Sequence, residues 1–266
     1  MDPVLNPLID IGANLTHDSF DEDRDDVIQR AITTGVGRFI VTGSSEQGSK
    51  DAFALANQHP GVLYATAGVH PHHASEYSTW VEAVLTDLLA NDAVVAVGEC
   101  GLDYYRNFSP VEAQRHAFRA QLELAGASGL PVFLHQRDAH EEFLEILEPA
   151  MSNISGGVAH CFTGTAAMLR EYLALDLHIG ITGWICDERR GAQLQEIVGE
   201  IPLDRLMLET DAPYLLPRSL NPRPKTRRNE PVYLTEVLRV VAECMGLSEA
   251  VVATASTTNA VRLFGL

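Results

Sequence analysis

The sequence contains few cysteines, and none of them is placed as a disulfide or metal pair. Four occur in 266 residues, and no two form a C-x-x-C motif. Disulfide-stapled scaffolds are much shorter and richer in cysteine, so that class is excluded. Widely spaced single cysteines are typical of a protein from a reducing compartment, and we expect the cytoplasm. The four are Cys100, Cys161, Cys186 and Cys244.

Long hydrophobic runs are also missing. No apolar segment approaches the roughly 18 residues of a membrane span. At the start of the chain Asp2 is acidic, and Asn6 and Pro7 interrupt the apolar residues, whereas a secretory signal has a basic start and an unbroken apolar core. We therefore expect neither a membrane partner nor a secretory signal. Since no apolar surface patch is evident in the sequence, we also expect a monomer.

Basic residues are scarce. Lysine and arginine number 19 against 36 aspartates and glutamates, which leaves a formal net charge of −17. A broad basic surface for nucleic acid is excluded, because long-range steering of a polyanion would be unfavourable. Any phosphate binding must be local, through metal ions and a focused cationic loop; the alternative is a small uncharged or cationic substrate. No Ser-His-Asp set, phosphate-cradling glycine loop or GxGxxG motif is evident.

The sequence does contain a regular alternation of short apolar runs and longer amphipathic stretches. Eight apolar runs recur about every 29 residues, the spacing of parallel βα units. Their number and the chain length predict an α/β fold, a (β/α)8 TIM barrel forming a single domain over residues 1–266. The predicted strands are 8–14, 38–42, 63–70, 93–99, 131–135, 157–160, 177–182 and 206–211.

Several intervening helices carry start and stop signals. Ser109 and Pro110 before Glu112 indicate a helix start, and Gly129 indicates its end. An acidic start and a one-sided apolar face predict a helix over 18–35. Two more helices are predicted at about 231–245 and 248–263.

Four polar residues stand where an apolar run ends: Glu99, His135, His160 and Asp211. The carboxyl ends of barrel strands meet at one rim, where active sites of this architecture lie. One such residue alone is usually a hydrogen-bonded barrel residue. Two imidazoles and two carboxylates together need a partner for their charge, and they form a suitable ligand set for a divalent metal.

Five motifs follow one another along the chain: 68–72 (GVHPH), 98–103 (GECGLD), 160–164 (HCFTG), 209–215 (ETDAPYL) and 228–231 (RNEP). Together they resemble the TatD deoxyribonuclease family, and the resemblance runs from about Ile9 to Phe264. It implies a Mg²⁺-dependent nuclease of the cytoplasm, with Mn²⁺ or Zn²⁺ as alternatives. Such an enzyme removes nucleotides from the 3′ end of single-stranded DNA or RNA, in DNA repair or nucleic-acid turnover.

The resemblance also implies roles for the four strand-end residues. Glu99, His135 and His160 become metal ligands, and Asp211 binds metal or activates water. Glu99 and Asp211 are thus the predicted catalytic residues, with Asp211 as general base, and Glu209 either shares that role or orients His160. Many relatives open with Asp-x-His-x-His, whereas the chain reads DIGAN over 10–14. The number of metals is therefore left open.

Substrate-binding residues are predicted around the same rim. His70 and His72 end the third strand, where they either bind a phosphate or belong to a solvated loop. Arg137 follows His135 by two positions and either holds a phosphate or pairs with an acid such as Asp138. Phe108 and Trp184 follow strands and are candidates for base stacking.

A cationic segment, 213–231, directly follows Asp211. It either overhangs the metal site and offers a local positive field, or is an ordinary solvated loop. Arg228 within it is a predicted substrate-binding residue. The basic residues of the segment are Arg218, Arg223, Lys225, Arg227 and Arg228.

Two other functions are compatible with these residues. A small-molecule metallohydrolase, or one acting on an aminoacyl ester, would use the same rim ligands, since a fold does not determine a function. A non-catalytic binding protein would keep the barrel but not the ligands, and the presence of all four strand-end residues counts against it.

Overall fold

The computed structural model of the protein describes residues 7–266, so the interpretation of the first six residues lies outside the described part. Eight β-strands form at the predicted positions. They are β1 (Leu8–Ala13), β2 (Val36–Val41), β3 (Leu63–Ala67), β4 (Val94–Asp103), β5 (Val132–Arg137), β6 (Gly157–Ala159), β7 (His178–Ile181) and β8 (Leu206–Leu208).

Helices connect the strands. Apolar residues on one face of each helix are buried, which is why these segments pack on the sheet. None of the helices in residues 7–266 combines the length and hydropathy needed to cross a bilayer. They are α1 (Arg24–Thr33), α2 (Glu46–Gln58), α3 (Thr79–Leu89), α4 (Val111–Ser128), α5 (His140–Leu147), α6 (Ala166–Ala174), α7 (Ala192–Ile197), α8 (Leu234–Met245) and α9 (Glu249–Phe264).

The eight strands form one parallel sheet in the order β1 to β8. The first and last strands meet at the rim: the Asp211 N–H donates to the Gly12 carbonyl at 2.8 Å, and the Asn14 N–H donates to the Ala212 carbonyl at 2.7 Å. These bonds close the sheet, so the predicted (β/α)8 barrel is confirmed. Closure brings Asn14 beside Asp211, although 197 positions separate them in the chain.

Apolar side chains occupy two layers. The larger layer lies between the strands and the surrounding helices and includes Cys100. The smaller layer fills the barrel interior with Ile11, Phe133 and Met207, and α9 adds Phe264 to it. The Asn259 side chain of α9 donates to the Leu203 and Leu206 carbonyls, just before and at the start of β8, so α9 covers the amino-terminal end of the barrel. The opposite end is left for polar chemistry.

Most strand bounds lie within three residues of the prediction, and two predicted elements differ more. Strand β4 does not end at Glu99 but remains paired with β5 as far as Asp103, opposite Arg137, after a register shift between Gly98 and Cys100. The predicted helix over 18–35 is divided, because a 3-10 turn at Asp18–Phe20 buries the Phe20 ring before α1 begins. In both places a tertiary contact overrides the local polarity pattern.

Candidate active site

Three imidazoles surround one carboxylate at the carboxyl ends of the central strands. The Oε1 atom of Glu99, on β4, lies 2.9 Å from His135 Nδ1 on β5 and 2.8 Å from His160 Nε2 after β6. On the other side it lies 3.4 Å from His70 Nε2, after β3. The structure thus brings three predicted metal ligands together and adds His70, which sequence reasoning assigned to substrate. The sequence signal for this position was that His70 follows β3, the strand that pairs with β4.

The donor set fits a divalent metal ion. Ligand atoms of His70, Glu99 and His135 all lie within 4.8 Å of one another. The Nε2 atom of His135 is buried without a hydrogen-bond partner, a costly arrangement that a ligand would relieve. The carboxylate oxygen suits Mg²⁺ and Mn²⁺, and the imidazole nitrogens suit Zn²⁺.

Charge is strongly coupled within this cluster. Burial opposes ionisation of Glu99, but the adjacent His160 and His70 hold its pKa well below the usual range. Burial also disfavours a charged His160, yet Glu99 and Glu209 raise the pKa of that imidazole well above its usual value. Burial lowers the pKa of His70, which keeps it neutral and suited to bind a cation.

Glu209 supports His160 from below the rim. Its fully buried carboxylate lies 3.2 Å from His160 Nδ1 and accepts a hydrogen bond from the Cys161 N–H. It fits between two glycines: a Cβ atom at Gly12 would lie 2.4 Å from Glu209 Oε2, and one at Gly180 would lie 2.5 Å from Oε1. Because residue 12 is a glycine and not a histidine, the first strand leaves room for Glu209. From there Glu209 positions the His160 ring.

Asp211 lies at the closure of the barrel. It has a left-handed backbone with φ of 54°, and its Oδ1 accepts a hydrogen bond from Asn14 Nδ2 at 2.9 Å. Burial raises the pKa of the Asp211 carboxyl to about 7, with Glu99 and Glu209 adding to the effect and His160 opposing it. Asn14, which stands where many relatives have a histidine, thus orients Asp211.

Asp103 belongs to the same cluster but was missed by sequence reasoning. Its Oδ2 lies 2.8 Å from His72 Nε2 and 3.6 Å from His135 Nε2. Asp103 ends the motif over 98–103, and this position was the signal available in the sequence. The signal was not used because β4 was predicted to end at Glu99. His72 is thereby tied to the rim rather than free in a solvated loop.

The two predicted substrate-binding arginines have different surroundings. The Arg137 guanidinium lies 3.9 Å from the centroid of the Tyr105 ring and, within residues 7–266, forms no ion pair with Asp138 or another acid. Arg228 instead donates to both oxygens of Asp23, at 2.8 and 2.7 Å, and to Glu230 at 2.8 Å. Its guanidinium is engaged by carboxylates, and the structure does not bring it into the cluster around Glu99.

The other basic residues of the cationic segment also differ in whether they form ion pairs. Arg218 pairs with Glu188 at 3.0 Å. Arg223, Lys225 and Arg227 are exposed and, in the described part of the chain, without ion pairs. Trp184, a candidate for stacking, is half-buried under the Arg190 guanidinium, 4.4 Å from its ring centroid.

A parallel barrel that brings histidines and carboxylates together at the carboxyl ends of its strands is the architecture of metal-dependent hydrolases. The comparisons with known proteins define the group more closely. A family model described as TatD related DNase matches residues 9–265. The chain belongs to this family.

Relatives match over nearly the whole chain. The chain is 52% identical to the 3′-5′ ssDNA/RNA exonuclease TatD of Erwinia tasmaniensis over 259 residues, covering 97% of this chain and 100% of the relative. It is 48% identical to the protein of the same name from Escherichia fergusonii, covering 97% and 99%. The crystal structure of YJJV, a TatD homologue from Escherichia coli K12, matches with a TM-score of 0.89 and 29% identity, covering 98% and 99%.

Proposed function

We propose that this chain is a metal-dependent 3′–5′ exonuclease that hydrolyses phosphodiester bonds of single-stranded DNA or RNA, with Mg²⁺ as its metal. The observation that carries the proposal is the cluster in which three imidazoles surround the Glu99 carboxylate, in a chain 52% identical to a 3′-5′ ssDNA/RNA exonuclease.

The metal would be held by Glu99, His70 and His135, with His160 completing the set. A bound divalent cation neutralises charge on the non-bridging phosphate oxygens and makes water a better nucleophile. Mn²⁺ and Zn²⁺ are the alternatives, because the carboxylate suits Mn²⁺ and the imidazole ligands suit Zn²⁺. His160 is oriented by Glu209, since the carboxylate lies 3.2 Å from the ring nitrogen that faces away from Glu99.

Asp211 is the general base in this proposal. It lies at the rim, and the hydrogen bond from Asn14 to Oδ1 fixes the orientation of its carboxylate. A base is most effective when its pKa is near the working pH, and burial raises the pKa of Asp211 to about 7. Asp211 therefore accepts the proton of the attacking water.

The phosphates of the substrate would meet local positive charge. Among the described residues Arg137 forms no ion pair, and Arg223, Lys225 and Arg227 are exposed on the segment that follows Asp211. These groups supply at the rim the field that a net charge of −17 denies to the whole surface.

We place this activity in the cytoplasm, in DNA repair or nucleic-acid turnover. The support is the four cysteines, which are free thiols in the structure. Free thiols are typical of a reducing compartment.

The test is a time course of EDTA-stripped protein on single-stranded DNA labelled at its 5′ end, with Mg²⁺, Mn²⁺ or Zn²⁺ restored. We expect a stepwise ladder that shortens from the 3′ end and requires metal. Glu99→Gln and Asp211→Asn should each lower kcat by at least about 100-fold. Glu200→Gln, a control on the exposed surface, should retain wild-type activity. Cleavage that needs no metal, or that persists in both variants, would contradict the proposal.

The ligand assignment has its own test. Metal binding by calorimetry should weaken at least about tenfold in His70→Ala, because a ligand is removed, and less in the matched variant His72→Ala. Equal weakening in the two variants would show that His70 is not distinguished from its neighbour.

A further inference from the structure

The loop between β4 and α4 exposes two aromatic rings. Tyr105 is 57% exposed and Phe108 is 68% exposed, which places them among the few large apolar side chains on the surface. Exposing a ring of this size leaves apolar area in water that burial would stabilise. Large exposed apolar groups at a rim of polar residues mark binding sites more often than accidents of the surface.

This loop is rigidly built. The buried Gln114 side chain accepts a hydrogen bond from the Asp103 N–H at 2.8 Å and donates to the Ser109 carbonyl at 2.9 Å. It also donates to Asn107 Oδ1 at 3.2 Å, and Asn107 has a left-handed backbone with φ of 52°. The loop thus holds Phe108 outward in one conformation, and little conformational freedom is lost when a ligand binds.

Ring contacts connect Phe108 with the cluster around Glu99. The Phe108 ring packs edge-on against His72, with centroids 4.7 Å apart, and His72 packs against His70 at 4.2 Å. His70 in turn lies 3.4 Å from Glu99 Oε1. Phe108 thus contacts His72, His72 contacts His70, and His70 lies beside the Glu99 carboxylate. A nucleotide bound at this carboxylate is long enough to reach the Phe108 ring.

Two unpaired guanidinium groups flank the Tyr105 ring. Arg137 lies 3.9 Å from its centroid and Arg106 lies 5.7 Å away. Within residues 7–266 neither forms an ion pair, although acids outnumber bases almost two to one in the chain. Cations left free beside exposed aromatic faces are the combination that binds single-stranded nucleic acid.

We propose that Tyr105 and Phe108 form a base-stacking platform for the nucleotides next to the scissile phosphate, with Arg106 and Arg137 binding the adjoining phosphates. The inference rests on the proposed exonuclease function and assigns the position of the substrate strand. Stacking on an aromatic face tolerates every base, so the platform binds the strand without sequence preference. It also favours single strands, because bases within a duplex have no free face to offer.

The test combines Phe108→Ala and Tyr105→Ala with substrates that carry one abasic residue at the 3′-terminal, penultimate or a deeper position. Each variant should raise KM about tenfold with kcat little changed. Phe108→Tyr, which keeps the ring, should restore the wild-type KM. Leu247→Ala, an exposed apolar control on the turn between α8 and α9, should leave KM unchanged.

The abasic substrates distinguish stacking from a structural effect. An abasic residue near the scissile phosphate should raise the KM of the wild type about as much as Phe108→Ala does, and it should cost that variant nothing further. The platform proposal would be overturned if the abasic residue and Phe108→Ala raised KM additively, or if the variants had an unchanged KM. If the wild type cleaved nothing, the exonuclease would fail instead, and anisotropy of a labelled oligonucleotide would still test whether binding depends on Phe108.

The phosphate-binding role of the arginines has a separate signature. Arg106→Ala should reduce the slope of log KM against log salt by roughly 0.7 for each phosphate that the protein no longer neutralises. Arg119→Ala removes the same charge from an exposed position on α4 and should leave the slope unchanged. Equal slopes in the two variants would remove Arg106 from the site.

Discussion

At the scale of single residues, the site depends on the Glu209 carboxylate, which lies against two glycines that have no side chain to displace it. Glu209 is fully buried, and its two oxygens face Gly12 and Gly180. The same carboxylate fixes the ring of His160, which lies 2.8 Å from Glu99. The two glycines, which lack a Cβ atom, therefore leave room for the carboxylate that positions the His160 imidazole on another strand's end.

Gly12→Ala tests this arrangement. The new Cβ would lie 2.4 Å from Glu209 Oε2 and 3.1 Å from Phe133 Cζ, so the carboxylate must move and release His160. We expect a loss of about 1–3 kcal/mol in the free energy of unfolding. We also expect a roughly 10-fold or greater fall in kcat. Urea unfolding and the exonuclease time course measure the two effects.

Gly199→Ala is the matched control, because no atom lies within 4 Å of the Cβ it would add. It should stay within about 0.5 kcal/mol of the wild type and retain full activity. If Gly12→Ala also kept wild-type stability and activity, Glu209 would have room to shift. The space between Gly12 and Gly180 would then not position His160.

At the scale of elements, the two ends of the barrel have separate tasks. Polar side chains gather where the strands end, whereas α9 covers the other end with an apolar face. Phe264 is 5% exposed and packs with the interior layer that includes Ile11 and Met207. The division predicts that stability and chemistry can be changed independently.

Phe264→Ala should lower the free energy of unfolding by about 3–5 kcal/mol, because it removes a buried ring and leaves a cavity. The kcat of the folded protein should change little, since the substitution lies at the end of the barrel away from Glu99. Urea unfolding and kinetics well below the unfolding midpoint measure these quantities. Leu247→Ala, exposed on the neighbouring turn, should cost less than about 0.5 kcal/mol. A large fall in kcat for Phe264→Ala would argue against independent ends.

At the scale of the whole molecule, the barrel is closed by contacts between the two ends of the chain. Beside the β1–β8 hydrogen bonds, an ion-pair network joins α1 to the segment before α8. Arg228 pairs with Asp23 at 2.7 Å, and Arg30 pairs with Glu230 at 2.9 Å and with Asp23 at 3.2 Å. Within this network the Arg228 guanidinium pairs with Asp23 and Glu230, and its predicted role in substrate binding stays a prediction.

The network predicts a pH dependence of stability. Hydrogen bonds from Arg228 and Arg30 lower the pKa of Asp23 from 3.8 to about 2. A carboxyl with a lowered folded pKa stabilises the protein above its unfolded pKa. That contribution is lost as the pH falls from about 4 to about 2. Asp23→Asn should therefore be less stable than the wild type by about 1 kcal/mol at neutral pH, the side chain being partly screened by solvent.

Urea unfolding of the wild type and Asp23→Asn across the acid range measures the difference, which should shrink below pH 4. Asp92→Asn, an exposed acid without an ion pair among the described residues, should show no such trend. A constant difference between wild type and Asp23→Asn at every pH would mean that the side chain acts through shape rather than charge.

Much of this protein was determined by the sequence itself. The period of the apolar runs predicted all eight strands, because each strand must be buried between the barrel interior and a helix. Polar residues at the ends of those runs predicted Glu99, His135 and His160, which the structure brings together, since parallel strands place their carboxyl ends at one rim.

Only the tertiary structure decided which side chains touch. The approach of His70 to Glu99, the fit of Glu209 between Gly12 and Gly180 and the pairing of Arg228 with Asp23 each join residues far apart in the chain. Local pattern carries no information on such contacts, because they depend on the register between strands and on the closure of the sheet. The continuation of β4 to Asp103 has the same origin, since the partner strand β5 sets where pairing ends.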